Sequence, residues 1–169
     1  MKPITFTSYL DTLVKLKLDH ITVPKEIVEA VGGVGTRLLC SINENEQFHC
    51  GLVSKGGGTA YITVNKKNQK KWGLSLDSEV TAVIELDHSK YGMKISEELE
   101  ALLDQDREGF ELFEDLTPGQ QRYIIHYVNQ VKSSQKKIDR AILLINNLKT
   151  MPKEKFDFRY LMGLPPREE

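Results

Sequence analysis

One short unit occurs twice in this chain of 169 residues. Residues 21–31, ITVPKEIVEAV, recur as residues 62–72, ITVNKKNQKKW, at a constant offset of 41 residues and without a gap. The same offset aligns the apolar positions that follow each copy, with Leu39 against Val80 and Ile42 against Val83. Two copies of such a unit predict a barrel that is built from two similar halves.

Alternating apolar residues predict the strands around this unit. The predicted strands cover residues 4–18, 20–23, 37–43, 47–53, 59–64 and 79–87, and each copy adds a short helix, one after Pro24 and one over residues 66–72. The tip around residues 44–46 joins two strands of a hairpin whose register stays open. A loop with an even number of residues places Cys40 opposite His49, and a loop of three places Cys40 opposite Cys50.

The apolar period becomes helical from residue 96 onward. Ser96 is a predicted N-cap, the pattern breaks near Gly109, and residues 117–120 have the sequence of a capping box. With a last helix over residues 134–148, the sequence predicts three helices in residues 94–150 and a tail, 156–169, that packs on them. Residues 97–115 carry nine acidic side chains and one basic side chain, whereas residues 122–155 carry eight basic and two acidic ones.

The repeated unit resembles a known type of barrel half. HITVPKEIVEAV and YITVNKKNQKKWGL are similar to the VPKEI-type unit of AbrB/MazE-type swapped-hairpin barrels, in which two chains each give one unit. The helices in EALLDQDREGFELFEDLTPGQQRYIIHYVNQVKSSQKKIDRAI resemble those of YdeI/OmpD-associated, bacteriocin-protection-like proteins. The resemblance implies an α+β protein, with a pseudo-two-fold double-split β-barrel in residues 1–88 and a small helical domain with its tail in residues 89–169. It implies no established activity.

A lysine cluster is the main candidate for a binding site. Lys66, Lys67, Lys70 and Lys71 lie at i, i+1, i+4 and i+5 of a short helix, so their ammonium groups share one side and could meet phosphates. Arg37 and Lys55 would extend this patch if the two halves of the barrel bring them near. The formal net charge of −1 gives no overall attraction to nucleic acid, and a solvated lysine face is the commoner meaning of such a cluster.

Other chemistry-bearing residues form no recognisable catalytic pattern. Cys40 and His49 could act as nucleophile and base in one register, but no orienting carboxylate is evident. The four histidines are scattered over different elements, so the sequence predicts neither a metal site nor a cofactor. Trp72 aligns with Val31 in the repeat, which predicts a packing role, and the run Gly56–Gly58 is typical of a hairpin connection.

Two functions of different classes follow from the sequence. The favoured one is a non-enzymatic cytoplasmic protein for binding or for stress or bacteriocin protection, with a protein or small-molecule partner at the junction of barrel and helices. The alternative is an AbrB-like regulator that binds nucleic acid through residues 66–71. The cytoplasmic location is expected because no apolar run is long enough to span a bilayer and the N-terminus lacks the pattern of a signal peptide.

Overall fold

Seven strands of the N-terminal part form one antiparallel sheet. The computed structural model describes residues 1–152 and 156–165. The strands are β1 (Ile4–Leu13), β2 (Leu18–Val23), β3 (Arg37–Ile42), β4 (Phe48–Gly51), β5 (Val53–Gly56), β6 (Thr59–Thr63) and β7 (Glu79–Leu86), in the order β4-β3-β7-β1-β2-β6-β5. Leu52 alone separates the two edge strands β4 and β5, so the sheet must curl to bring its edges together. With the helices described below, the chain is an α+β protein with a half-barrel.

The strand pairing follows the 41-residue repeat. In the pair β2–β6, Ile21 lies opposite Ile62, which is its own equivalent in the second copy. In the pair β3–β7, Ser41 lies opposite Val83 and Ile42 lies opposite Ala82. The offset exchanges these last two pairs, because it carries Ser41 to Ala82 and Ile42 to Val83. The two copies therefore pair with each other about a common centre.

The core of the sheet comes from alternate positions on its strands. Leu10, Ile21, Leu38, Ile62 and Ile84 are fully buried because successive strand residues point to opposite faces. Each copy of the repeat adds a short helix, α1 (Lys25–Ala30) and α2 (Lys66–Trp72). Trp72 is partly buried against this core, with its ring 5.8 Å from that of Phe48, which agrees with the predicted packing role.

The structure corrects two predictions in this part of the chain. The first strand ends at Leu13 instead of continuing to residue 18, because residues 14–17 form a turn in which Lys17 has a φ of 52°. The hairpin register is neither of the two considered, since Cys40 lies opposite Phe48 and His49 lies opposite Leu39. The loop between β3 and β4 is longer than the predicted tip and begins with positive φ at Asn43 and Glu44.

The C-terminal part holds five helices in its described residues, not the predicted three. They are α3 (Glu97–Gln105), α4 (Arg107–Glu114), α5 (Pro118–Asn129), α6 (Ser134–Thr150) and α7 (Phe158–Leu161). The break between α3 and α4 lies at Asp106 instead of near Gly109, because the Asp106 carboxylate caps α4 by accepting a hydrogen bond from the Gly109 N–H at 3.0 Å. The predicted N-cap Ser96 and the capping box of Thr117 and Gln120 are both present.

The chain divides into two compact units, Met1–Gly92 and Met93–Glu169. In the part of the chain that the structure describes, no helix has both the length and the apolar character needed to cross a membrane. Part of the predicted tail, residues 166–169, and three of the charged residues counted above, residues 153–155, lie outside the described residues.

Candidate functional site

The lysine cluster predicted from the sequence lies on α2, where a carboxylate neutralises its first member. Lys66 forms an ion pair with Asp19, whose side chain is only 4% exposed. Gln69 also donates to the same Asp19 oxygen at 2.9 Å. The hydrogen bonds from Lys66 and then Gln69 lower the pKa of Asp19 below its ordinary value, despite its burial. Lys66 therefore faces solvent and also neutralises the buried carboxylate of Asp19 in β2.

A second carboxylate engages the other end of the cluster. Lys71 lies 2.6 Å from the Glu46 carboxylate, in the loop between β3 and β4. Within residues 1–152 and 156–165, the side chains of Lys67 and Lys70 have no hydrogen-bond or ion-pair partner. Four positive charges less the two paired negative ones leave a net charge of two on this surface, so the structure supports a smaller basic patch than the sequence predicts.

Arg37 and Lys55, which would extend the patch if they lay near it, bind partners that belong to other elements than α2. Arg37 donates to the carbonyl of Ser89 at 3.1 Å. Lys55 donates to the Thr22 hydroxyl at 2.7 Å and lies 3.7 Å from the Asp11 carboxylate. Both side chains therefore serve strand-to-strand and strand-to-loop contacts.

A cavity of about 360 Å³ lies beside α2 and was not predicted from the sequence. Its lining includes Lys17 from the turn before β2 and Leu18 from the start of β2, Lys66 and Gln69 from α2, and Phe48 and Cys50 from β4. Lys17 lies at this site because it is the last residue of the turn after β1 and directly precedes β2. The cavity therefore brings Lys66 of α2 together with Lys17, a lysine that is distant from it in sequence.

The cysteine and histidine residues of β3 and β4 do not form a nucleophile and base. Neighbours in a strand point to opposite faces, and Cys50 shares the inner face with Cys40 whereas His49 points outward. A hydrogen bond with Cys40 and burial raise the pKa of the Cys50 thiol, so it is a poor nucleophile. His49 instead contacts the buried Asp87 carboxylate at 3.1 Å through Nδ1.

Asp87 is held as an anion by several donors. Burial raises its pKa, but hydrogen bonds from the side chain and backbone of Ser89 and from His49 outweigh that effect and leave the pKa below its ordinary value. Among the described residues, no group of three or more His, Cys, Asp or Glu side chains could hold a metal ion.

The C-terminal unit contains a different kind of site, an apolar groove of about 490 Å³ between α3 and α6. Its floor is aliphatic and is formed by Ala101, Leu102, Ile138, Ala141 and Ile142. Ile142 is 43% exposed, although it shares helical spacing with Ile138 and with the buried residues Ala141 and Ile145 of α6. The signal for this was present: α6 has apolar residues at positions 138, 141–145 and 148, which is a wider band than one packed face requires.

The charged groups in the lining of this groove are both acidic. Glu97 and Glu98 stand at the N-terminal end of α3, where the helix dipole favours negative charge. Hydrogen bonds from its own backbone N–H and from Ser134, together with Lys137 at 3.7 Å, lower the pKa of Glu98. The exposed residues Glu100 and Asp104 continue this acidic surface along α3. The groove therefore combines an apolar floor with a negative rim.

A known family model matches most of the unit that contains this groove. Residues 93–150 match the model of the OmdA family, described as bacteriocin-protection, YdeI or OmpD-associated. Every residue that lines the groove falls within this range. The match confirms the resemblance predicted from the helices of the sequence. No curated protein matches the chain by sequence.

Proposed function

Because residues 93–150 match the bacteriocin-protection, YdeI or OmpD-associated family, we propose that this chain is a non-enzymatic binding protein that holds a cationic amphipathic peptide. The peptide lies in the groove between α3 and α6. The observation that carries this proposal is the exposure of Ile138 and Ile142 on the floor of a groove whose rim is acidic. Sequestration of such a peptide in the cytoplasm is the way in which we expect a protein of this kind to protect a cell from a bacteriocin.

The dimensions of the groove suit an amphipathic helix. Its volume of about 490 Å³ lies within the range of roughly 300–1,000 Å³ that is usual for ligand clefts. Two aligned helices leave a linear apolar channel, and a helical ligand fills such a channel with side chains at i, i+3, i+4 and i+7. Lysine or arginine residues on the flanks of that ligand would then meet Glu97 and the exposed acidic residues of α3.

The lining supports a binding role over catalysis. Glu97 and Glu98 are its titratable groups, and Glu98 is already engaged by Lys137 and Ser134. The remaining polar lining residues, Gln105 and Ser134, are suited to hydrogen bonding with a ligand backbone or side chain. Aliphatic burial and charge complementarity are the interactions that this surface offers.

For the N-terminal unit, we propose a double-split barrel formed by two fused AbrB/MazE-like halves. Support comes from the strand pairing, in which Ile21 lies opposite its own repeat equivalent, Ile62. The pairing of β4 with β3 also follows the repeat, because Leu38 opposite Cys50 corresponds at the 41-residue offset to Glu79 opposite Tyr9. Nucleic-acid binding by an AbrB-like regulator has less support, because carboxylates pair with Lys66 and Lys71 and leave this role to Lys67 and Lys70.

The first prediction tests the groove with one substitution and a matched control. Ile142→Asn removes an aliphatic side chain from the floor of the groove. Leu143→Asn changes a neighbouring α6 residue that is not part of the lining and has a similar exposure, 40% for Leu143 and 43% for Ile142. Loss of the aliphatic contact is worth roughly 1.5–3 kcal/mol, so we expect Ile142→Asn to weaken binding about tenfold or more. Binding of a fluorescent helical peptide made of leucine and lysine is measured by anisotropy.

Two controls, one variant and one peptide, show whether binding depends on the groove. Leu143→Asn should keep the affinity of the parent within about twofold, since a surface substitution away from the contact changes little. A leucine-glutamate peptide of the same length should bind far more weakly because it faces the acidic rim. Equal affinity of both variants for the cationic peptide, or no binding by the parent, would overturn the proposed function.

A further inference from the structure

The turn between β1 and β2 exposes aliphatic side chains to solvent. We call residues 14–18 the tip loop; within it Val14 is 79% exposed and Leu16 is 63% exposed. The backbone of the tip loop is held by its own hydrogen bonds, from Leu16 N to Leu13 O at 3.0 Å and from Lys17 N to Val14 O at 3.4 Å. The side chains are therefore presented outward by a defined turn.

The pattern of the tip loop is unusual for a solvated turn. Single exposed apolar residues are normal on protein surfaces, but Val14, Leu16 and Leu18 are all exposed within five positions. Lys15 and Lys17 alternate with them and are also exposed. The loop therefore offers apolar side chains and ammonium groups together.

The N-terminal end of α2 lies at the same cavity as the tip loop. Lys17 and Leu18 line the cavity of about 360 Å³ together with Lys66, the first residue of α2. In residues 1–152 and 156–165, the side chains of Lys15, Lys17, Lys67 and Lys70 have no hydrogen-bond or ion-pair partner, so four ammonium groups remain free for an external anion. Lys66 adds its charge beside them, although Asp19 balances it.

We propose that the tip loop and the free lysines of α2 dock this protein reversibly on an anionic phospholipid bilayer. Val14 and Leu16 enter the boundary between headgroups and acyl chains, while Lys15, Lys17, Lys67 and Lys70 contact lipid phosphates. Peripheral attachment of this kind needs two signals, because a small apolar insertion or a basic patch alone binds weakly. The surface supplies both signals within one unit, and it is separate from the groove that carries the proposed function.

Nucleic acid would use only half of this surface. Its phosphates would account for the lysines, but the aliphatic side chains of the tip loop would stay in water. A bilayer interface accounts for both sets of residues, and we therefore favour it.

The test is co-sedimentation of the full chain with vesicles. The parent, Val14→Ser/Leu16→Ser and Lys67→Gln/Lys70→Gln are compared on vesicles of phosphatidylcholine mixed with phosphatidylserine and on vesicles of phosphatidylcholine alone. Each lysine near an anionic surface contributes about fivefold in affinity, so the double lysine variant should bind about 25-fold more weakly. The serine variant should lose about tenfold or more, and added salt should weaken the parent.

A matched variant checks that general surface polarity is not responsible. Leu76→Ser/Lys136→Gln changes one exposed leucine and one exposed lysine outside the tip loop and α2, and it should bind mixed vesicles like the parent. No binding of the parent to mixed vesicles at low salt would overturn the proposal. Vesicle binding that is unchanged in Val14→Ser/Leu16→Ser would also overturn it. So would binding to duplex DNA that is stronger than binding to vesicles and that is lost only in Lys67→Gln/Lys70→Gln.

Discussion

His20 is the residue whose burial is hardest to reconcile with its chemistry. Its side chain is fully buried, its ring packs edge-on to Tyr61 with centroids 5.3 Å apart, and neither ring nitrogen has a hydrogen-bond partner among the described residues. Burial first, and then the charge of Lys55, lower the pKa of His20, while Asp11 at 4.0 Å and Asp19 act in the opposite direction. The folded protein therefore favours the neutral imidazole.

The lowered pKa of His20 predicts that the folded protein loses stability in mild acid. The unfolded chain binds a proton at His20 with a pKa of about 6.5, whereas the folded chain binds it only at lower pH. Stability is therefore complete above about pH 6.5 and declines as the pH falls below that value toward the folded pKa. Urea unfolding of the parent and His20→Leu between pH 7.5 and about 5 measures the effect. The variant should show the smaller decline in midpoint; parallel curves would contradict the prediction.

Individual residues of the lysine patch also show how far sequence reasoning reaches. The helix, its lysines and the core position of Trp72 follow from spacing and from the repeat, which are local properties. The partners Asp19 and Glu46 are 47 and 25 residues from the lysines that they neutralise, Lys66 and Lys71. Such pairs depend on strand order and loop path, so the sequence predicts the charges but not which of them remain free.

At the scale of elements, periodicity identifies strands better than it identifies their ends. The alternation of Val14, Leu16 and Leu18 continues the pattern of β1, yet these residues lie in and after a turn. The hairpin register was unpredictable for a related reason: Asn43 is fixed to β7, because its N–H donates to the Thr81 carbonyl and its side-chain oxygen accepts from the Thr81 N–H, both at 2.8 Å. This contact across 38 residues holds the start of the loop between β3 and β4, and loop length alone does not contain it.

The packing of α4 on α6 gives a prediction that contradicts helix propensity. Alanine in place of glycine within a helix ordinarily adds about 0.5–1 kcal/mol of stability. A Cβ on Gly109 would instead collide with the Ile145 side chain and lie 2.8 Å from the Asp106 carboxylate. We therefore expect Gly109→Ala to lower the free energy of unfolding by about 1–3 kcal/mol.

Gly119 supplies the matched control for that measurement. It lies in the first turn of α5, and a Cβ there meets no other atom within 4 Å. Gly119→Ala should leave stability unchanged or raise it by up to about 1 kcal/mol. Chemical denaturation measures the free energy of unfolding of both variants. A Gly109→Ala variant that is more stable than the parent would show that α6 can move away from α4.

At the scale of the whole molecule, the two compact units each have an apolar interior of their own. Phe6, Leu10 and Ile84 belong to the core of the first unit, and Phe113 and Ile125 are fully buried in the second. Chains of this size bury enough surface to fold alone. The sequence places the boundary after residue 88, whereas the structural division falls after Gly92.

The difference of four residues predicts unequal fragments. Ser89 donates its N–H to the buried Asp87 carboxylate at 2.8 Å, accepts from Arg37 at 3.1 Å through its carbonyl, and accepts from the Gly92 N–H at 3.2 Å through its hydroxyl. A chain that ends at residue 88 lacks these bonds and leaves Asp87 short of donors. We expect residues 1–92 and 93–169 each to unfold cooperatively, and residues 1–88 to be less stable than residues 1–92 by about 1–3 kcal/mol.

Denaturant unfolding followed by circular dichroism compares the three fragments with the full chain. Equal stability of the two N-terminal fragments would mean that the Ser89 contacts add nothing to the sheet, and an unfolded 93–169 fragment would mean that the helical unit cannot stand alone.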